Sequence, residues 1–284
     1  MKLSRVMAAM PVILGLQCWL YAQKSEQESL PQSSTLTAGQ LVREMVANEL
    51  AGHDKSPWIY RMERQEKGVR RQFHVIDTDQ GSLTLLICAD GLPISDEQRR
   101  ADIDRIQKLL SSKEAIAKKA VSDKNDAAKV DKVLKLLPDG LLFEYDGGDD
   151  QVIRLKFKPN PDFKPPSMEA RVFQAMEGTL TVNRHQKRMM RIQGRLLSDV
   201  SFGWGILGNL KAGGTFRLEQ SELASGYWAL TSLDIQMQGK ALIFRSINVQ
   251  ERLRLSNFQP APAKLTLDQG LSVLKGLSSS CAGS

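Results

Sequence analysis

A chain of 284 residues, 42% hydrophobic and 25% charged, can bury a sizeable core, and 3 cysteines are too few for a scaffold built on disulfides. The formal charge of +7 suits anionic lipid head groups or acidic polymers, or serves solubility alone. Arg70-Arg71, Arg99-Arg100 and Lys118-Lys119 lack interleaved aromatics, which argues against a nucleic-acid surface.

Lys2 and Arg5 precede an apolar run from Val6 to Leu20, with the small Ala22 after it. This is the pattern of a cleaved signal peptide over residues 1–22, and the run falls short of the ~20 apolar residues of a bilayer span. An uncleaved anchor is the alternative. Gln17 beside Cys18 disfavours lipid attachment there. The protein is therefore expected in the periplasm or outside the cell. In that oxidising setting Cys88 and Cys281 either form one bridge from the tail to the sheet, or Cys281 stays a free thiol in the flexible tail 278–284.

Residues 23–36 are polar and read as a flexible leader. Thr37-x-x-Gln40, Ser95-x-x-Gln98 and Thr266-x-x-Gln269 each match a capping box before an apolar-periodic run. They predict helices over 38–51, 96–136 and 267–277, the middle one breaking in two at 122–126.

The remainder alternates with period two. Trp58, Tyr60 and Met62 oppose Ile59, Arg61 and Glu63; Ile153, Leu155 and Phe157 oppose Arg154, Lys156 and Lys158; Met190, Ile192 and Leu196 oppose Arg191 and Arg195. Residues 215–219 and 230–238 continue the pattern. Such strands belong to an antiparallel sheet with one solvated face. Turn residues at 146–149, 224–226 and 238–240 connect about ten strands in an up-and-down meander. The Pro-rich stretch 158–166 cannot donate ladder hydrogen bonds at its prolines and reads as a hairpin loop.

Gly203-x-Gly205-x-x-Gly208 matches a dinucleotide fingerprint, but 209–214 read as a further loop where that motif needs a helix. Trp204, Ile206 and Leu207 fit an apolar rim loop that touches an acyl chain or membrane, or tucks under the sheet as core. His53, His74 and His185 have no metal-ligand spacing and read as solvated. Asp77/Asp79 and Asp149/Asp150 lie in turns, and no nucleophile elbow is present. The expectation is no metal, no cofactor and no enzymatic activity.

The element order resembles the LolA/LolB superfamily of lipoprotein carriers, often described as outer-membrane lipoprotein-sorting-like proteins. The residues that carry the likeness are the 38–51 helix, Trp58-Ile59-Tyr60, Phe143 to Gly147, Gly178 to Val182, Trp228 to Leu233 and Ala241 to Phe244. It spans about 38–90 and 140–258, and the helical insertion 95–137 is longer than the carriers lead one to expect. The resemblance implies a half-open antiparallel barrel around helices, with an apolar cavity that shields acyl chains.

The sequence thus predicts one α+β domain over 37–277, a strongly curved antiparallel sheet with helices covering its concave face. The expected function is to bind or carry a lipid or lipoprotein acyl chain, as a monomer that also meets envelope membrane proteins. The candidate lining is the apolar face of the strands: Trp58, Tyr60, Met62, Phe73, Val75, Phe143, Tyr145, Ile153, Leu155, Phe157, Ile192, Phe216 and Leu218. The alternative is a non-enzymatic envelope interaction protein with a dry packed core.

Overall fold

All three capping boxes form. Thr37 Oγ1 accepts from the Gln40 amide at 3.2 Å while Gln40 Oε1 accepts from the Thr37 amide at 2.8 Å, and Ser95/Gln98 and Thr266/Gln269 repeat the exchange. These interactions come from a computed structural model, whose described residues are 36–52, 57–167, 169–202, 208–241, 245–278 and 280–281. The predicted signal peptide, nearly all of the leader, His53 and the rim residues Trp204, Ile206 and Leu207 lie outside them.

In chain order the elements are α1 (Ala38–Ala51), β1 (Trp58–Glu66), β2 (Val69–Thr78), β3 (Gly81–Ala89), β4 (Leu92–Pro93), α2 (Asp96–Leu110) and α3 (Lys113–Gly140). Next come β5 (Leu141–Gly148), β6 (Val152–Pro159), a 3-10 helix (Glu169–Ala175), β7 (Met176–Asn183), β8 (Met189–Leu196), β9 (Val200–Phe202) and β10 (Gly208–Leu210). The chain closes with β11 (Thr215–Ala224), β12 (Tyr227–Ala241), β13 (Arg245–Pro260) and α4 (Leu267–Gly276). Thr37–Ser284 form one compact unit.

Three local expectations are corrected. The long helical stretch breaks at Ser111-Ser112, not at 122–126. Ser112 Oγ accepts from the Ala115 amide at 3.1 Å and starts α3 afresh, whereas 122–126 holds no Gly or Pro and is bracketed by the Lys119–Asp123 and Asp126–Lys129 ion pairs. Residues 238–240 make no turn, because β12 runs through them. A Cβ on Gly239 would stand 2.0 Å from the Asn209 carbonyl oxygen, so this glycine admits a neighbouring backbone. That neighbour is β10, which occupies part of the stretch read as loop.

The described residues form thirteen strands of one sheet in the order β4-β3-β2-β1-β13-β12-β11-β8-β7-β6-β5, with β9 and β10 attached beside β12. Among the described residues every pairing is antiparallel and the sheet does not close, since β4 and β5 remain edges. Two local meanders are joined where β1 pairs with β13. Bulges at Ile59/Arg61, Gln72/Phe73, Glu219/Gln220 and Tyr145/Gly148 bend it. Gly178 and Gly194 pair across β7 and β8, and Phe157 and Phe216 lie against them where any side chain would collide.

Directly opposed residues in an antiparallel pair share a face. Following the register Phe143–Phe157–Gly178–Gly194–Phe216–Ile235, and Leu233–Leu253 with Leu255–Met62–Phe73, traces one largely apolar face from β5 to β2, interrupted by the ion pair of Arg64 and Glu251, which oppose Leu253 and Ile235. Helix α1, the C-terminal turns of α3 and the 3-10 helix pack on this face over β5–β8. Leu41, Val42, Met45, Leu137 and Phe173 meet Leu155, Phe157, Leu180 and Leu196 there, all buried. Lys158 and Pro159 of the Pro-rich stretch still belong to β6; the rest is a loop whose Phe163 rests edge-on against Phe173, with ring centres 6.0 Å apart.

Helices α2 and α4 use the opposite face at the other end. There β2 and β3 are apolar on both sides: Ile76, Leu83 and Leu85 pack against Ile106, Leu267, Leu271 and Leu274. A ten-residue helix is marginal by itself, but each buried leucine contributes about 1.5–3 kcal/mol, enough to hold α4 in place.

Candidate functional site

Every residue of the predicted lining sits on the apolar face, but the face has two halves. Over β5–β8 it is filled. Leu155 is fully buried, Phe157 and Ile153 nearly so, and Phe143, Ile192, Phe216 and Leu218 pack against the same cluster. Val75 and Trp58 are buried too, while Tyr145 is exposed near the β5 edge. Tyr60, Met62 and Phe73 are only half-buried and belong to neither core cluster. They continue into Leu233, Ile235, Leu253 and Leu255 on β12 and β13, also half-buried and outside both clusters. These four were missed in the lining, although Leu253 and Leu255 alternate with Arg252 and Arg254 in the sequence.

An aromatic corner ends this strip. Trp58 stacks on Tyr227 with centroids 4.5 Å apart, Tyr60 stacks on Phe258 at 5.1 Å, and Trp58 meets Phe258 edge-on at 6.3 Å. The buried indole N–H of Trp58 has no hydrogen-bond partner among the described residues. Burial, then the charge of Asp77 and the neighbouring Tyr227, pushes the Tyr60 hydroxyl above its ordinary pKa. Burial also raises the Asp77 carboxyl, against the opposing hydrogen bonds from Ser82 Oγ at 2.7 Å and the Trp58 backbone.

At the other end, Glu49 of α1 and Arg188 at the start of β8 form a nearly fully buried bidentate pair. Arg188 Nε donates to Glu49 Oε1 at 2.9 Å and Nη2 donates to Oε2 at 3.0 Å; the Met189 amide donates to Oε1 at 2.7 Å. The guanidinium also lies 5.9 Å from the Trp228 ring centre. This pair fixes α1 to the β7–β8 hairpin.

The opposite face over β5–β13 is laced with cross-strand ion pairs and holds a depression of about 810 Å³. This cavity lies on the charged side of the sheet.

Cys88 and Cys281 are disulfide-bonded, with Cα atoms 5.8 Å apart. The tail they tie down covers His74, which corrects its reading as a solvated side chain: His74 is half-buried and its Nε2 lies 2.8 Å from the Ser278 carbonyl oxygen. His185 is exposed in the β7–β8 turn, as expected. Burial is the largest effect on His74 and lowers its pKa below 6.5; the Ser278 hydrogen bond opposes this, and Arg61 and Arg99 add to the lowering. The unfolded chain thus takes up this proton first as pH falls. His74 should cost stability progressively below pH 6.5, levelling off once the folded form also protonates. His74→Gln is expected to flatten the pH dependence of Tm between about pH 6.5 and 5, measured by thermal unfolding across that window.

Among the described residues no three His, Cys, Asp or Glu side chains are grouped to hold a metal ion, and no helix is long and apolar enough to cross a membrane. No protein-family model matches the chain, and no curated protein matches it significantly. Among solved structures, a DUF1329 family protein from Desulfovibrio piger aligns with 84% of this chain and 100% of its own, at 9% identity and a TM-score of 0.28.

Proposed function

We propose that the protein is an exported, non-enzymatic binder of a lipid or lipoprotein acyl chain, seated on the half of the apolar face that α1 and α3 leave uncovered. The observation that carries this reading is the half-buried strip of Tyr60, Met62, Phe73, Leu233, Leu253 and Leu255, continuous with the core yet belonging to neither cluster. Aliphatic and aromatic side chains in one extended row suit a flexible hydrocarbon, and each methylene they cover is worth about 0.8 kcal/mol. The LolA/LolB-like order of elements, with its basic and apolar N-terminal segment, supports the same compartment and cargo. The filled half of the sheet is the scaffold and the open strip the site.

The test is native mass spectrometry of the exported protein with fatty acyl ligands, beside the variants Leu233→Asp and Leu255→Asp. Both side chains are part-exposed, so both variants should fold. Acyl binding is expected to fall at least about 10-fold in each, since a carboxylate would have to lose its water beneath the chain. Unchanged binding in either folded variant would overturn the site. Leu155→Asp is no substitute, because that side chain is fully enclosed and its loss would unfold the scaffold.

A second reading, an envelope interaction protein, is favoured by α3. Its Val130 and Val133, three residues apart on one side of the helix, are exposed at 63% and 40%, an apolar pair suited to a protein partner. Stoichiometric capture of one envelope protein by the lipid-free chain, lost in Val130→Asp, is what that reading expects.

A further inference from the structure

The charged face carries a second feature that acyl binding does not use. Arg195 on β8, Arg217 on β11 and Arg252 on β13 line the depression of about 810 Å³. The ladder sets their spacing. Arg217 opposes Asp234, Asp234 opposes Arg252, and Arg195 opposes Thr215, two residues along β11 from Arg217. With strands about 4.8 Å apart, the Cα atoms of Arg217 and Arg252 stand about 10 Å from each other.

Each guanidinium is fixed from one side. Arg195 Nε donates to Glu177 Oε1, Arg217 Nε to Glu219 Oε1 and Arg252 Nε to Asp234 Oδ1, all at 2.9 Å. Nη2 of Arg195 and of Arg217 meets the same carboxylate oxygen at 2.7 Å. Among the described residues, Nη1 of Arg195 and Arg217 and both Nη atoms of Arg252 donate to no protein acceptor. The carboxylates are outnumbered: Glu219 also accepts from Arg191 at 2.7 Å and Asp234 from Arg254 at 2.6 Å. Lys156 pairs with Asp146 and Lys158 with Glu144, so that with Arg191 and Arg254 seven cations share the five carboxylates Glu144, Asp146, Glu177, Glu219 and Asp234.

A guanidinium already oriented by a carboxylate loses less freedom when its remaining N–H groups meet an oxyanion. We propose that this depression binds a phosphate-bearing ligand through the free edges of Arg195, Arg217 and Arg252. Its volume lies within the usual range for small-molecule sites and leaves room for more than one phosphoryl group. The same chemistry is offered by a soluble phosphoryl compound and by a phospholipid head group.

The experiment is calorimetric titration of the full, oxidised protein with inorganic pyrophosphate at low ionic strength. Flotation with vesicles of phosphatidylglycerol, against phosphatidylcholine alone, runs in parallel. Saturable pyrophosphate binding or selective flotation is expected, weakened at least about 10-fold in Arg217→Gln/Arg252→Gln and unchanged in Arg43→Gln, which lies on α1. Flotation lost in the double variant assigns the head group; pyrophosphate binding without flotation assigns a soluble ligand. The double variant is verified as folded by its circular dichroism. Arg217→Lys/Arg252→Lys keeps the charge without the fork, and full affinity there would overturn the proposal, as would failure of both probes to bind or binding indifferent to the Gln variants.

Discussion

Glu49→Ala is expected to destabilise the protein by about 3–5 kcal/mol, a large share of the roughly 5–15 kcal/mol of a typical domain. The variant removes one partner of a buried pair and leaves the other charged. Arg188 would lose both acceptors, and the Met189 amide would lose its own at the start of β8. The guanidinium cannot easily escape to water, because it packs over Gly52 and faces Trp228; a Cβ on Gly52 would stand 2.2 Å from its Nη1. Urea unfolding followed by circular dichroism reads the loss. The double variant Glu49→Leu/Arg188→Met is expected to recover most of it, since replacing both charges with apolar groups removes the desolvation cost that neither charge bears well alone. A drop under about 1 kcal/mol in the single variant would mean that solvent reaches the pair and that α1 is held by its leucines alone.

Reducing the Cys88–Cys281 bridge, or replacing Cys281 with Ser, is expected to cost about 2–4 kcal/mol and to lower Tm by about 10 °C. The cross-link joins residues 193 apart in sequence, so it restricts most of the unfolded chain. It also has a local effect. Arg99 Nη2 donates to the Lys275 carbonyl at 3.1 Å and His74 meets that of Ser278, so the bridge closes the tail over β2 and β3. Scanning calorimetry with and without reductant measures the global term. Titration of the His74 ring signals measures the local one: with the tail released, burial falls and its pKa should rise toward 6.5. An unchanged Tm together with an unchanged His74 would show that α4 keeps the tail in place without the covalent link.

Much of the sheet's apolar face was legible in sequence because a strand's faces are written in alternate residues. Tyr60, Met62, Phe73, Phe216 and Leu218 fall on one face, as period two requires, and the three capping boxes mark true helix starts within one turn of chain. The same rule failed where a residue's local chemistry has two uses. Gly239 looked like a turn and serves close backbone approach; Ser122 to Asp126 looked like a break and is solvated helix.

Periodicity within a few residues therefore determined which side chains share a face, and capping chemistry where helices begin. Only the tertiary structure decided that β1 pairs with β13, across nearly 200 residues, and so joined Met62 to Leu255 in one strip. It likewise decided that α1 and α3 fill the β5–β8 half of the apolar face while α2 and α4 take the other side of β2 and β3, and that Glu49 finds Arg188. A local pattern fixes the direction of a side chain relative to its own backbone. Whether that side chain is then buried, left half-open or ion-paired depends on which distant segment arrives, and that is set by the summed burial of all the segments together.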